Sequence, residues 1–317
     1  MDFKNVVVAG RGVLGSQIAF QTAYCGFNVT VWLRSEGSIE RSKPKFERWN
    51  KIYQDSLESY RDKCGTDYPY FAQGLVSDLK TLTPEKIDEL KAQAQKAHDG
   101  IVYETDMAKA FADADLIIES VAEDPAQKIE FYKKAAQCMP EKTVLATNSS
   151  TMLPSQFAEY TGRPEKYLAL HFANEIWKYN TAEVMGHPAT EQVYYDQVAE
   201  FAEAINMIPL KLKKEQPGYI LNSMLVPFLS AGQALWAKEV ADPETIDLTW
   251  RKATGAPAGP FQILDVVGLA TAYNIVSMNP AAKDPESVYS KIAAKLKEMI
   301  DAGKTGVNAG EGFYKYK

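Results

Sequence analysis

Short apolar runs alternate with amphipathic stretches through the N-terminal part of the chain. "NVVVAG" (5–10) reads as a buried-type strand, and "SQIAFQTAYCG" (16–26) as a helix stopped at Gly26. "NVTVWL" (28–33) is the next strand. A polar segment of roughly 36–100 follows, with helical patterning in "KPKFERWNKIYQDSLESYRDK" and "TPEKIDELKAQAQKA". It is too long for a simple connection and reads as an inserted helical arm. The strand rhythm resumes at "IVYETD", "DLIIES", "TVLATNSS" and "YLALHFA", with "PAQKIEFYKKAAQCM" a helix between two of them. After a helix in "HPATEQVYYDQVAEFAEAIN" and a strand in "MIPLKL", only helical patterning remains, from "QPGYILNSMLVPFLSAGQALW" onward. Strands alternating with helices predict an α/β domain over 1–214, built on a doubly wound, mostly parallel sheet. A smaller all-helical domain is expected over 215–317.

Gly10, Gly12 and Gly15 stand at the spacing G-x-G-x-x-G between the first strand and the first helix. There the first glycine permits a tight turn and the second lets backbone approach a pyrophosphate. The third allows close helix–sheet packing, and the helix N-terminus faces the phosphates. This context makes the sheet Rossmann-type and the turn, with Val13 and Leu14, a dinucleotide site. An acidic residue ending the second strand would grip the adenosine ribose of NAD. That place holds Leu33, followed by Arg34 and Ser35. A guanidinium fork and a hydroxyl suit a 2′-phosphate, so NADP is favoured over NAD; the bland alternative is an arginine pointing into water.

Composition narrows the classes. In 317 residues, 46% are hydrophobic and 24% charged, typical of a folded soluble protein. No apolar run of membrane-spanning length and no leader are expected, so a cytoplasmic protein without membrane contact is the default. Three scattered cysteines and three histidines argue against disulfides and a metal centre. A net charge of −6 disfavours nucleic-acid binding. One basic run departs from that balance, containing Arg34, Arg41, Lys43, Lys45, Arg48 and Lys51. It reads either as a solvated helix face or as a clamp for phosphates.

The ordered motifs "VVVAGRGVLGSQIA", "IIESVAEDPAQKIEFYKK", "LATNSST", "LALHFAN", "TAEV", "QPGYILNSMLVP", "GAPAGPFQILDVVGL" and "GEGFYKYK" resemble the 3-hydroxyacyl-CoA dehydrogenase family over nearly the whole chain. The resemblance implies a homodimer of two-domain subunits, and marks His171 and Glu183 as a catalytic pair. Chemistry agrees: an imidazole is suited to take a hydroxyl proton as hydride leaves, and a carboxylate on its far nitrogen would fix the tautomer. A satisfied structural histidine is the competing reading. The resemblance further places Ser149 and Asn222 against the substrate oxygen, and Asn174, Glu123 and Lys128 around the cofactor. Capping and turn formation compete for such polar residues, above all for Asn148 and Ser149.

The implied activity is hydride transfer between NAD(P) and C3 of a 3-hydroxyacyl-CoA, with 3-oxoacyl-CoA reduction the expected direction. Three departures bear on it: the missing acid after the second strand, "HFANEIWKYNTAEV" where the family has a Pro-rich stretch, and a longer, more aromatic arm. In the family that arm meets the CoA nucleotide. Two alternatives stay open: a dehydrogenase of a free hydroxy acid, and a non-catalytic NADP(H)-binding sensor or structural protein.

Overall fold

The structure is a computed structural model and describes residues 3–316. Its contacts divide the chain into two units, one ending at Ile220 and one beginning at Leu221.

The first unit is built on eight strands: β1 (Asn5–Ala9), β2 (Asn28–Trp32), β3 (Val102–Glu104), β4 (Leu116–Glu119), β5 (Val144–Thr147), β6 (Tyr167–Phe172), β7 (Thr181–Met185) and β8 (Ile208–Lys211). They form one sheet in the order β3-β2-β1-β4-β5-β6-β7-β8. Strands β1 to β6 run parallel, β7 is antiparallel to β6, and β8 is parallel to β7. The expected fold class therefore holds, with one antiparallel turn at the β6–β7 edge. The central strands are Val, Ile and Leu runs because helices cover both faces, and β4 and β5 are buried at every position.

Helices α1 (Val13–Tyr24), α5 (Met107–Phe111), α6 (Pro125–Ala135) and α7 (Gln192–Ala204) connect the strands. Two of their starts are legible in the sequence: Asp106 and Asp124 accept the backbone N–H of Lys109 and Gln127, and Pro125 opens α6. The inserted arm, between β2 and β3, holds α2 (Glu36–Glu40), α3 (Lys43–Glu58) and α4 (Pro84–Gly100). One face of α3 buries Phe46, Trp49, Tyr53 and Leu57. Tyr53 packs edge-on to Phe20 of α1 at 4.8 Å and donates to Gln21 Oε1 at 2.6 Å, while Trp49 Nε1 donates to Ser16 Oγ at 3.0 Å. Trp177, from the loop after β6, packs against Trp49 and Tyr53. The arm's aromatics are therefore core, and tie α3 to the helix that opens at the glycine turn.

Helices α8 (Tyr219–Ala237), α9 (Pro243–Thr254), α10 (Pro260–Val267), α11 (Leu269–Ser277) and α12 (Val288–Asp301) complete the chain. Leu229, Phe261, Leu264, Leu269 and Leu296 form the core of the second unit. The expectation of no run of spanning length is corrected by α8, which at 19 residues is long and apolar enough by length and composition to cross a membrane. It carries the polar Asn222, Ser223 and Gln233 and an internal Pro227, and buries Leu229 and Gln233 here. The tail is latched by Asp265, whose carboxylate accepts the backbone N–H of Phe313 and Tyr314 at 2.8 and 2.9 Å.

Candidate active site

The turn between β1 and α1 uses its three glycines differently. Gly10 has φ +132, and a Cβ there would lie 2.2 Å from Ser120 O. At Gly15 it would meet Ser120 Oγ at 3.0 Å. At Gly12 it would meet nothing within 4 Å, so that glycine keeps open the space over the helix N-terminus. Gly12 is also the N-cap of α1 and supplies no side-chain cap, which leaves the first-turn N–H groups for a ligand. Val13 is exposed and Leu14 half-buried in that first turn.

A cavity of about 550 Å³ runs from this turn past the end of β2. Leu33 is buried and cannot reach a ribose. Arg34 lies at the rim, its Nη1 3.3 Å from Gln127 Oε1. Behind it, Ser35 and Ser38 join hydroxyls at 3.0 Å, and Arg41 Nη2 donates to Ser38 Oγ at 3.1 Å. Arg11, Arg34, Arg41 and Lys45 line the cavity, and no carboxylate is among its lining residues. The nearest acid in sequence, Glu36, accepts instead from Thr105 Oγ1 at 2.9 Å. Ser38 and Arg41 had no signal beyond membership of the basic run. An open glycine, uncapped amides and a cation-rich lining without a carboxylate fit a dinucleotide diphosphate.

At the β6–β7 edge, His171 and Glu183 are directly opposed in the antiparallel register, which places both side chains on one face. His171 Nδ1 and Glu183 Oε2 are 2.9 Å apart, and both residues are buried. Glu183 Oε1 accepts the N–H of Ile220 at 2.8 Å. The Tyr219 ring stacks on His171 at 4.4 Å and 13°, and its hydroxyl donates to Ser149 O at 2.7 Å. The other imidazole nitrogen, Nε2, faces Ser150 Oγ at 3.3 Å.

This last contact corrects the placing of Ser149 against the substrate. Ser149 is buried and gives its hydroxyl to Glu123 Oε1 at 2.5 Å, because the turn after β5 points it inward. Its neighbour Ser150, overlooked in the sequence, holds the position facing Nε2. Glu123 also accepts from the backbone N–H of Ser150 and Thr151 and from Thr151 Oγ1, so it shapes the turn itself. Burial would raise its pKa, but the Ser149 bond, the Lys128 charge and the Thr151 bonds outweigh it and hold the carboxyl below its ordinary range.

Lys128 is 1% exposed and paired with Glu119 Oε1 and Oε2 at 2.7 and 2.9 Å, with Glu123 Oε2 at 3.4 Å. Asn174 is tied through Oδ1 to Gln17 Nε2 at 2.9 Å, and Gln17 Oε1 takes the N–H of Ile176 at 3.3 Å. Asn222 lies half-buried on α8, in the second unit. Among the described residues no cluster of three or more His, Cys, Asp or Glu could hold a metal.

Two family profiles match the chain. Residues 70–216 match the 3-hydroxyacyl-CoA dehydrogenase NAD binding domain, and residues 218–316 match the C-terminal domain of the same family. The chain belongs to the 3-hydroxyacyl-CoA dehydrogenase family. It is a nicotinamide-dependent oxidoreductase. Human mitochondrial hydroxyacyl-coenzyme A dehydrogenase is 30% identical over 314 residues, covering 99% of this chain and 91% of that protein. The 3-hydroxybutyryl-CoA dehydrogenase of Clostridioides difficile is 28% identical over 98% of this chain and 99% of its own. A solved diketoreductase, described as performing substrate-directed dual catalysis of dicarbonyl compounds, is 47% identical with a TM-score of 0.85 and full coverage of both chains. The NAD-domain match of this family member begins at residue 70, so the glycine turn, β2 and most of the cation-lined cavity lie before it.

Proposed function

We propose that the protein interconverts a 3-hydroxyacyl and a 3-oxoacyl group by hydride transfer with NADP(H), using His171 as general base and acid. The observation that carries this reading is the buried His171–Glu183 pair, with Nε2 turned to a serine hydroxyl. A nicotinamide dinucleotide held at the Gly10–Gly12 turn would supply the hydride acceptor or donor. Glu183 keeps the proton on Nδ1, so that Nε2 has its lone pair free to take the substrate hydroxyl proton, and it stabilises the imidazolium that results. The Ser150 hydroxyl beside Nε2 supports a donor role toward the substrate oxygen. In reduction the same Nε2 delivers the proton to the carbonyl oxygen.

The substrate carrier has two readings. The family members named above support a CoA thioester. The 47% identical diketoreductase, together with the Glu175–Asn180 loop that replaces a Pro-rich stretch, supports a free dicarbonyl acid or ester. Steady-state assays with acetoacetyl-CoA and with free 3-oxo acids and 1,3-diketones, in one cofactor system, decide between them. Replacing His171 by Ala should lower turnover of the accepted substrate by on the order of a hundredfold or more. Normal turnover in that variant would remove the mechanism, and tight NADPH binding with no turnover on any panel member would favour a sensor.

The NADP preference is supported by buried Leu33 in place of an acid and by Arg34, Ser35, Ser38 and Arg41 beyond it. Arg34→Asp should weaken NADPH much more than NADH in parallel titrations; equal losses would remove the argument. A homodimer is supported by the exposed Leu235, Val240, Leu248 and Trp250 on and beside α8 and α9. Light scattering of the protein against a Trp250→Glu variant tests it.

A further inference from the structure

We infer that Lys45, carried by the inserted arm, acts with Arg11 as a side-chain clamp on the pyrophosphate of the bound dinucleotide. The clamp adds a charged element to a site that this fold otherwise builds from backbone amides and a helix N-terminus. Lys45 lies in the first turn of α3, and its Nζ donates to the carbonyl of Arg11 at 2.9 Å. Arg11 is the middle residue of the turn, between Gly10 and Gly12. An ammonium has three donors, so two remain beyond that carbonyl. The bond matters in its own right, because a bare carbonyl oxygen at the mouth of a phosphate site would repel the ligand. Lys45 neutralises that oxygen and presents positive charge in its place.

The surroundings call for an anion. Lys45 and Arg11 line the same cavity as Gly10 and Gly12, and that lining contains no carboxylate. Burial, and after it the charge of Arg11, hold the Lys45 ammonium below the usual lysine range. Two cations pressed together at an uncapped helix start are stabilised by what the fold brings there, a doubly charged pyrophosphate. The rest of α3 keeps Lys45 in place, since Phe46, Trp49 and Tyr53 are buried on the first unit's core. The arm thereby completes the cofactor site. Arg34 and Arg41, with Ser35 and Ser38, are left for a 2′-phosphate, so the four cations divide into two loci with different ligands.

This division sets the test, which rests on nicotinamide binding alone and not on the choice of substrate. NADPH and NADH are titrated separately into the protein, into Lys45→Gln and into Lys45→Arg, with nicotinamide fluorescence as the readout and thermal melting as the check on folding. Lys45→Gln should weaken both cofactors alike, by about tenfold, because both carry the pyrophosphate. Lys45→Arg, which keeps the charge, should recover most of that loss. Arg41→Ala should weaken NADPH selectively. A Lys45→Gln loss confined to NADPH would place Lys45 at the 2′-phosphate and overturn the clamp. Unchanged affinity for both cofactors would overturn it as well, including the case where only the KM of an acyl-CoA rises and Lys45 serves a CoA phosphate.

Discussion

Replacing Glu183 by Gln changes one atom and should cost most of the activity. Two donors fall on separate oxygens of Glu183: Oε1 takes the Ile220 N–H at 2.8 Å, and Oε2 faces His171 Nδ1 at 2.9 Å. A backbone N–H only donates. In the variant the amide oxygen must therefore serve Ile220, which turns the amide NH2 toward Nδ1. Nδ1 then accepts, the ring proton moves to Nε2, and the nitrogen facing Ser150 has no lone pair for a substrate proton. Flipping the amide would restore the tautomer but set NH2 against N–H, leaving a buried donor unpaired at about 1–3 kcal/mol. Loss of the charge-assisted bond to the imidazolium adds roughly 1.5–3 kcal/mol. Together these give about 2.5–6 kcal/mol, or roughly 10²- to 10⁴-fold in kcat. The assay is kcat at saturating cofactor and substrate, with cofactor affinity measured beside it and expected unchanged. A Glu183→Gln enzyme with more than about a tenth of normal kcat would refute the tautomer argument.

Other consequences are as direct. Lys128→Met strips the partner from a fully buried Glu119 and should cost about 3–5 kcal/mol in urea unfolding, most of it regained in the double variant with Glu119→Gln. An unchanged midpoint would mean that the Tyr132 and Thr147 hydroxyls and the Val121 N–H, which also donate to Glu119, suffice without it. Gly12→Ala should fold normally and lose cofactor affinity by about tenfold or more, whereas Gly10→Ala should lose stability, since only its Cβ strikes backbone. Equal melting temperatures for the two would contradict that. The Glu123 carboxyl titrates lower in the folded chain than unfolded, so its contribution is full above the ordinary carboxylate range and fades as pH falls through the lower folded value. Acid unfolding of Glu123→Gln should accordingly show a shallower pH dependence than the parent protein.

Most of the sheet was legible because its strands are short apolar runs set between helical stretches, and the arm because its length exceeded any connection. What the arm does was not legible. The periodicity of Phe46, Trp49 and Tyr53 says that one face of α3 is buried, but not that it is buried on α1 and Trp177. The same limit explains two site residues. Ser149 and Ser150 are adjacent and chemically identical, and only the turn held by Glu123 decides which hydroxyl faces His171. Lys128 read as a cofactor-lining cation because its partner, Glu119, ends a different element and shares no spacing pattern with it. By contrast, the family resemblance had already paired His171 with Glu183, and the β6–β7 register puts them opposite each other.

The departures from the family pattern do not fall evenly over the molecule. His171 has Glu183 at Nδ1, Ser150 Oγ at Nε2 and the Tyr219 ring stacked on it, the set on which the proposed proton transfer rests. The unusual residues gather elsewhere. Leu33 and Arg34 line the cation-rich cavity beside the glycine turn, and Glu175, at φ +56, opens the altered loop after β6. A non-glycine residue in the left-handed region costs of order 1 kcal/mol and persists only where its surroundings hold it. Here Trp177, buried against Trp49 and Tyr53, and Gly74, whose N–H bonds Trp177 O at 2.9 Å, do so. That loop is therefore a fixed feature rather than slack chain. Chemistry retained at the centre with both ligand ends rebuilt is the pattern expected when a scaffold keeps its reaction and changes what it grips. On this reasoning, exchanging the Glu175–Asn180 loop for a Pro-rich family stretch should shift the ratio of kcat/KM between CoA thioesters and free dicarbonyls while leaving cofactor choice untouched. A parallel change in NADPH over NADH preference would show that the two ends are not independent.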